Sequence, residues 1–246
     1  YINDRGEMIA KQRSTSIRYL AEEARKRAQF SEQEDPVWSD EALDDLEEQR
    51  LAYYGTHRGH GKLLWKDVAD GERLPTRPLG PHTVASFTTE WRSFNMTVWG
   101  AVGYWGESTT DQAGWLPEMS RDAARSAVDP ARGDGLYRGP SRGHVQPRYA
   151  QLIGMPRGYG YGASMGAWVL DYLSNWIGEW GEIIHSRAQY RNPAFTGDAT
   201  FLNGSVTGKQ IDAASGRHLV SVTYEMTNQN GAVMAKGTAE VALPNE

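Results

Sequence analysis

The chain has 246 residues with 31 acidic and 26 basic side chains, which gives a net charge of −5 at pH 7. This mild acidity argues against a nucleic-acid partner, because proteins that bind nucleic acid generally present a basic face. The absence of cysteine excludes a disulfide scaffold, a Cys-ligated zinc site and a thiol nucleophile. No apolar run approaches about 18 residues, so we expect no transmembrane helix.

The first 20 residues predict a β-hairpin. The run Asn3-Asp4-Arg5-Gly6 has the composition of a turn, in which Gly6 can adopt a positive φ, and β-prone residues follow it. No signal-peptide pattern is visible, so we expect a cytoplasmic protein. A chain that begins at Tyr1 rather than Met also predicts that an upstream segment has been removed.

Residues 21–63 are dense in charge and poor in apolar side chains. They predict solvated helices that form a linker, with Ser39 as an N-cap and with Leu43 and Leu46 on one helix face. A functional charged patch is the alternative interpretation.

The next stretch combines short elements with a long loop. Residues 64–68 predict an entry strand that leads to a turn at 71–75, and residues 83–94 predict a short helix or a strand–helix junction. Residues 101–143 are rich in Gly, Pro, Ser, Asp and Arg. They predict a long irregular loop, which in a compact domain is usually functional or mobile.

The C-terminal part predicts one helix followed by an antiparallel meander. Residues 163–177 (ASMGAWVLDYLSNWI) are apolar nearly all round, so we expect a buried helix that ends at Gly178. Asn230-Gly231, the last of the turns that follow, is a strong hairpin signal. The predicted strands are residues 183–190, 199–206, 219–228 and 233–243. A buried helix packed on such a sheet is an α+β pattern.

The N-terminal hairpin repeats part of the last one. Residues 3–11 and 228–236 share Asn, Gly, Ala and Lys at a constant offset of 225 residues. Two unrelated hairpins with similar turn chemistry would give the same pattern. The other interpretation is that residues 1–20 are the last hairpin of a first repeat, whose remainder lies upstream or on another polypeptide.

Several motifs resemble those of one family when they are taken in order. Residues 143–150 (GHVQPRYA) contain a His followed by a Tyr-Ala pair, and Tyr161-Gly162 precedes the predicted helix. Residues 190–198 and 227–231 resemble an R-x-P-x-x-x-G-D turn and the N-Q-x-G turn of a final hairpin. Together these motifs resemble the MaoC-like, hot-dog-fold acyl-CoA dehydratases, which include the (R)-specific enoyl-CoA hydratases.

The resemblance covers residues 64–246, and residues 1–20 more weakly. It implies a hot-dog fold of the α+β class, in which an antiparallel sheet wraps around the central helix. Many members of the family carry two such units, so we expect the double hot-dog type. Residues 1–20 would be the C-terminal hairpin of a partial first unit, residues 21–63 a charged helical linker, and residues 64–246 a complete hot-dog domain.

The resemblance implies a lyase that interconverts a 2-enoyl-CoA and a 3-hydroxyacyl-CoA thioester, with no cofactor besides the coenzyme A of its substrate. His144 would act as acid and base, because an imidazole titrates near neutral pH. Backbone N–H groups at the start of the central helix would polarise the thioester oxygen. The candidates are Gly160, Gly162 and Ala163, with a simple tight turn as the alternative, and Tyr161 is expected to bind substrate.

Four further polar residues are considered as ligand-binding residues. Arg187 and Arg191 could bind the phosphates of coenzyme A, although solvated strand residues are the simpler interpretation. His57 and His60 form an H-x-x-H pattern. We expect no metal site there, because no Cys or suitably spaced carboxylate completes a ligand set.

The chain departs from the family pattern at the catalytic carboxylate. The family Asp stands five residues before the His, where this chain has Gly139, and Gln146 replaces an Asp that often follows the His. Asp134 and Asp129 lie ten and fifteen residues before His144. Either could fold back towards the imidazole, and we take Asp134 as the candidate catalytic residue.

Two hypotheses about function follow. The first is an enoyl-CoA hydratase or dehydratase that uses His144 and a loop carboxylate. The second is a non-catalytic hot-dog subunit that shapes the acyl pocket of, or supports, a catalytic partner. Both imply a homodimer, or a hetero-oligomer with a hot-dog subunit or the missing upstream segment. A thioesterase is a third option, for which Asp171 is the carboxylate inside the central helix.

Overall fold

A computed structural model of the chain contains an antiparallel sheet packed against one long helix. It describes residues 1–15, 20–27, 29–30, 33–87, 144, 147–151 and 154–246. The helices are α1 (Ala21–Arg27), α2 (Asp40–Tyr54), α3 (Pro147–Gln151) and α4 (Gly162–Ile177). The strands are β1 (Arg77–Leu79), β2 (Glu182–Tyr190), β3 (Thr200–Ile211), β4 (His218–Asn228) and β5 (Val233–Ala242). Residues 84–87 are also helical.

The five strands form one sheet in the order β1-β3-β4-β5-β2, and all neighbouring pairs are antiparallel. The central helix α4 lies between β1 and β2 along the chain, and these two strands form opposite edges of the sheet. This strand order around a central helix is the hot-dog fold. It confirms the α+β class predicted from the sequence.

The apolar residues of the strands alternate as a one-sided sheet requires. Along β4, Val220, Val222, Tyr224 and Met226 are buried, and the residues between them are more exposed. They share one core with the inner face of α4. The buried residues of that face recur every three or four positions and are Met165, Trp168, Val169, Tyr172, Leu173, Trp176 and Ile177.

The prediction that α4 is buried nearly all round is wrong for its outer face. Ala163, Ala167 and Asp171 are exposed, and Leu170 retains 47% of its accessible surface. Asp171 forms an ion pair with Arg77 of β1 on this side. Only one stripe of the helix therefore contributes to the core.

The four predicted strands after the helix are confirmed as β2 to β5, with one difference in length. β3 continues to Ile211, five residues beyond its predicted end at position 206. A bulge between Val206 and Gly208 shifts the register there, and the pairing with β4 then resumes.

The predicted entry strand at 64–68 is wrong, since Trp65–Asp67 is a 3-10 turn. The Trp65 backbone N–H donates to the Pro244 carbonyl (2.8 Å), and its indole N–H donates to the Leu219 carbonyl (3.0 Å). The indole thus anchors this turn across the end of the sheet. The first strand is β1 instead, which pairs with β3.

Helix α2 belongs to the folded unit, which corrects the prediction of a solvated linker. Its N-cap is Ser39 as predicted, since the Ser39 hydroxyl accepts from the Ala42 N–H (3.2 Å). However, Leu46 and Tyr53 are only 3% and 5% exposed, and Tyr53 belongs to the main core. The Arg50 guanidinium, on the same helix face, donates to the Gly80 carbonyl.

The turn of the N-terminal hairpin has the same hydrogen bonds as the turn between β4 and β5. The side-chain oxygens of Asn3 and Asn228 each accept two backbone N–H groups, two and four residues further on, at 2.9–3.0 Å. Gly6 and Gly231 have φ angles of 79° and 75°. The similarity of the two segments therefore extends from their sequence to their turn geometry, as both interpretations of the repeat expect.

The two hairpins differ in their surroundings. Residues 1–10 make one isolated bridge, Ile2 to Met8, and pair with no strand of the sheet within the ranges given above. Their apolar side chains are about two-thirds exposed or more, at 66–72% for Tyr1, Ile2, Met8 and Ile9. The assignment of residues 1–20 to a partial first hot-dog unit stays a prediction.

None of the helices in the described ranges combines the length and the hydropathy that spanning a bilayer requires.

Candidate functional site

His144 is buried against the start of the central helix. Only 7% of the residue is exposed. Its ring stacks on that of Tyr161 with centroids 3.8 Å apart, and it is tilted against the ring of Tyr159 at 4.1 Å. Tyr161 is the N-cap residue of α4, so the imidazole lies beside the N-terminus of this helix.

A hydrogen bond to the backbone orients the His144 ring. Nδ1 lies 2.6 Å from the backbone oxygen of Tyr159. A carbonyl oxygen can only accept, so Nδ1 carries the hydrogen and donates it. In the neutral imidazole the lone pair then resides on Nε2, which is the nitrogen that can act as a base.

Burial also controls the charge of His144. It lowers the pKa of the imidazole to about 4, and the hydrogen bond to the Tyr159 carbonyl partly opposes this effect. The ring is therefore neutral at pH 7.

The Gly-rich turn that holds Tyr159 is itself held by a neighbouring loop. Residues 158–160 run alongside residues 194–196 as a short antiparallel bridge with two backbone hydrogen bonds of 2.7 and 2.8 Å. A Cβ atom on Gly158 would lie 3.1 Å from the His144 carbonyl oxygen, and one on Gly160 would lie 3.1 Å from the Phe87 ring. Glycine thus permits this close packing.

The three predicted oxyanion donors do not behave alike. The Gly160 N–H already donates to the Ala194 carbonyl at 2.7 Å, so its assignment as an oxyanion donor is wrong. Gly162 and Ala163 are exposed in the first turn of α4. Across the described ranges, nothing accepts from their N–H groups, and their role stays a prediction.

The predicted substrate-binding residues fall in two places. Tyr161 lies against His144, as described above. Arg187 is exposed on the edge strand β2, and Arg191 is exposed just beyond it, where it donates to the Gln189 side chain (2.8 Å). Phosphate binding by the two arginines stays a prediction.

The predicted catalytic carboxylate Asp134 lies outside the residues that the structure describes. The same holds for Asp129, Gly139 and Gln146, and for the predicted loop at 101–143.

His82 is a second buried histidine, which the sequence did not mark as a candidate. His82 is 5% exposed, stacks parallel to Trp168 with centroids 4.9 Å apart, and places Nε2 2.8 Å from the Thr200 hydroxyl. Burial lowers its pKa to about 4. No motif in the sequence marks this residue.

The structure also contains a buried ion pair that the sequence did not predict. Arg157 and Asp198 are 7% and 2% exposed, and their charged groups lie 2.8 Å apart. Asp198 also accepts from the Gln229 amide at 3.0 Å. The G-D turn and the N-Q turn that we noted as motifs thus meet at one carboxylate.

The remaining candidates, His57 and His60, each contact neighbouring side chains. His57 packs edge-on against Tyr53 and Tyr54, whereas His60 places Nδ1 2.8 Å from a carboxylate oxygen of Glu179. In the part of the chain that the structure covers, no three His, Asp or Glu side chains come together as a metal site.

Comparisons with known proteins give structural matches only. No protein-family model and no curated protein matches this chain. It is similar to an (R)-hydratase from A. caviae involved in PHA biosynthesis, with 15% identity, a TM-score of 0.46, and coverage of 73% of this chain and 99% of that one.

Two other solved structures show a similar likeness. A MaoC-like dehydratase from Rhodospirillum rubrum has 16% identity and a TM-score of 0.44, with coverage of 75% of this chain and 99% of that one. The ChsH1-ChsH2 complex from Mycobacterium tuberculosis has 17% identity and a TM-score of 0.41, with coverage of 72% and 98%. MaoC-like proteins and (R)-hydratases, the family that the motifs resemble, are thus also found among similar structures.

Proposed function

We propose that this chain hydrates 2-enoyl-CoA thioesters and dehydrates the corresponding 3-hydroxyacyl-CoA thioesters, with His144 as the acid and base. The observation that carries the proposal is the buried, neutral imidazole, which is fixed through Nδ1 on the Tyr159 carbonyl and stacked on the N-cap residue of α4. The motif resemblance to MaoC-like dehydratases supports the class of reaction.

The dehydration direction shows what the residues must do. Nε2 of His144 takes the proton from C2, and the electron pair moves towards the thioester oxygen as an enolate forms. The pair then forms the C2–C3 double bond, and the hydroxyl group leaves C3 as water after it takes a proton from an acid. Asp134 is the acid that we propose, and hydration reverses each step.

The N-terminus of α4 suits the charge that develops on the thioester oxygen. The N–H groups of Gly162 and Ala163 lie in its first turn, where the helix dipole favours negative charge. In this proposal Tyr161 contacts the acyl group, Arg187 and Arg191 bind the phosphates of coenzyme A, and a second hot-dog unit completes a dimer or hetero-oligomer.

A hydration assay tests the proposal. The full chain is incubated with 2-enoyl-CoA substrates of several chain lengths, and loss of the conjugated double bond is followed by its absorbance. His144→Ala is expected to lower kcat by about 10² to 10⁴, the usual contribution of a general acid–base. Asp134→Asn is also expected to lower kcat. Two control variants should retain the wild-type rate: His60→Ala, at an exposed histidine, and Asp129→Asn, five residues before Asp134 in the chain. An active wild type with an unchanged His144→Ala rate would contradict the proposal.

The second candidate function is a non-catalytic hot-dog subunit, and Gly139 at the position of the family Asp favours it. On this alternative the purified wild-type chain hydrates none of the substrates, and His144→Ala has no effect. Activity of the wild-type chain by itself would exclude it.

A further inference from the structure

The Arg157 guanidinium is a junction between three segments of the chain. Its Nε donates to the Thr196 carbonyl at 2.7 Å, and a terminal nitrogen donates to the Asp198 carboxylate at 2.8 Å. The other terminal nitrogen donates to the Glu34 carbonyl (2.9 Å) and to the Asp35 carboxylate (3.1 Å). Because the guanidinium is a rigid plane, each of these acceptors is fixed in direction as well as distance.

The anionic partner of Arg157 is held from its other side. The same oxygen of Asp198 accepts from the Gln229 side-chain N–H (3.0 Å), and the Gln229 side-chain oxygen accepts from the Ala199 N–H (3.0 Å). The pair is thereby tied to the turn between β4 and β5. Because both charges are buried, a shift of these loops that separated Arg157 from Asp198 would leave a buried charge unpaired, which is energetically costly.

The junction leads directly to His144. Residues 158–160 follow Arg157 in the chain, and they pair with residues 194–196, the segment to which the Arg157 side chain also bonds. The middle residue of this turn is Tyr159, whose carbonyl accepts from Nδ1 of His144. Arg157 thus fixes both halves of the bridge that carries this carbonyl.

We propose that Arg157 is a positioning residue for His144: by fixing residues 158–160 against 194–198 it keeps the Tyr159 carbonyl on Nδ1 and leaves the lone pair on Nε2. Its meaning for catalysis rests on the proposed function. The tautomer of the imidazole is a property of the chain alone and is measured without substrate.

Nitrogen NMR of the histidine-labelled full chain measures this tautomer at pH 7. His144 of the wild type is expected to give the signals of a single Nδ1–H form, which the His144→Gln variant identifies by their loss. Arg157→Lys keeps the charge but cannot bond the Thr196 and Glu34 carbonyls together in one plane, so we expect a mixture of the two tautomers. We also expect kcat to fall about 10-fold with little change in KM.

Asp35→Asn is the matched control. It alters a partner of the same guanidinium, but the Asp35 side chain is 87% exposed, so the His144 signals should not change. Asp198→Asn and Gln229→Ala test the other side of the junction and keep the test decisive if Arg157→Lys does not fold. Gln229→Ala removes one neutral donor to Asp198 and the acceptor of the Ala199 N–H but no charge, so it should give a smaller proportion of the second tautomer.

An unchanged single tautomer in every folded variant would overturn this inference, even if the enzyme is active. Absence of hydratase activity in the wild type would instead contradict the proposed function and leave the tautomer result standing.

Discussion

His82 and His144 are buried as neutral side chains, and this links the stability of the protein to pH. Burial lowers both pKa values from 6.5 to about 4. Between these two values the unfolded chain takes up protons that the folded chain does not. The contribution of each histidine is therefore complete above about pH 6.5 and is lost as the pH falls towards 4.

We expect the free energy of unfolding to fall by about 2 kcal/mol for each of these histidines between about pH 7.5 and pH 5. Urea unfolding at both pH values measures the loss. His82→Gln should reduce it by about 2 kcal/mol, because its own proton uptake disappears. Val169→Ala, a core truncation without a titratable group, should destabilise equally at both pH values. An identical pH dependence in His82→Gln and wild type would contradict the prediction.

Gly237 lies so close to its neighbours in the sheet that there is no room for a side chain. A Cβ atom there would lie closer to the Tyr224 ring and to the Arg187 carbonyl oxygen than real Cβ atoms approach. We expect Gly237→Ala to lower the free energy of unfolding by about 1–3 kcal/mol or more, as overpacking of a core does. Gly208→Ala is the control, since nothing lies within 4 Å of its Cβ position. Equal stability of the two variants in urea would argue against this packing.

At the scale of elements, the packing of α2 through Leu46 should make a measurable contribution to the free energy of unfolding. Leu46 is 3% exposed, whereas Leu43, one turn earlier on the helix, is 39% exposed. Leu46→Ala is expected to lower the free energy of unfolding by about 2–4 kcal/mol, and Leu43→Ala by about 0.5 kcal/mol. Thermal and urea unfolding of both variants test this. If neither truncation matters, α2 is a solvated helix after all.

The sequence was sufficient for elements whose pattern is local. Alternating apolar residues predicted β4 and β5, and Asn230-Gly231 predicted the turn between them. The docked face of α2 was missed because only Leu46, Arg50 and Tyr53 mark it, in a run dominated by charge. The exposed side of α4 was missed for the opposite reason, since apolarity all round a helix does not reveal which side is covered.

The candidate site was predictable only where a motif marked it. His144 and Tyr161 were identified in this way, and the structure brings them together. Gly160 was misjudged because its backbone N–H bonds to a carbonyl 34 residues later in the chain. The contacts of His82 and Arg157 also join distant positions, such as Thr200, 118 residues from His82. No local pattern encodes such pairings.

At the scale of the whole molecule, the two matching turns should differ in their effect on stability. Asn3→Ala and Asn228→Ala each remove the oxygen that accepts two backbone N–H groups. We expect Asn228→Ala to lower the free energy of unfolding by about 1–2 kcal/mol, because it lies within the sheet. Asn3→Ala should leave the global unfolding transition unchanged.

Hydrogen exchange supplies a second measurement of the same difference. Amides of residues 5–7 should exchange rapidly, and those of residues 230–232 should be protected through the adjoining strands. Equal protection, or a global loss of stability in Asn3→Ala, would show that residues 1–10 fold together with the sheet.

The Arg157 junction also predicts an order of assembly during folding. The hairpins of β3, β4 and β5 close short turns, whereas the bond from Arg157 to the Glu34 carbonyl spans 123 residues and that to Asp198 spans 41. Contacts between residues so far apart in the chain carry a larger entropic cost and form late. After dilution from denaturant we therefore expect the β3–β4 and β4–β5 hairpins to form before the imidazole of His144 reaches its final orientation.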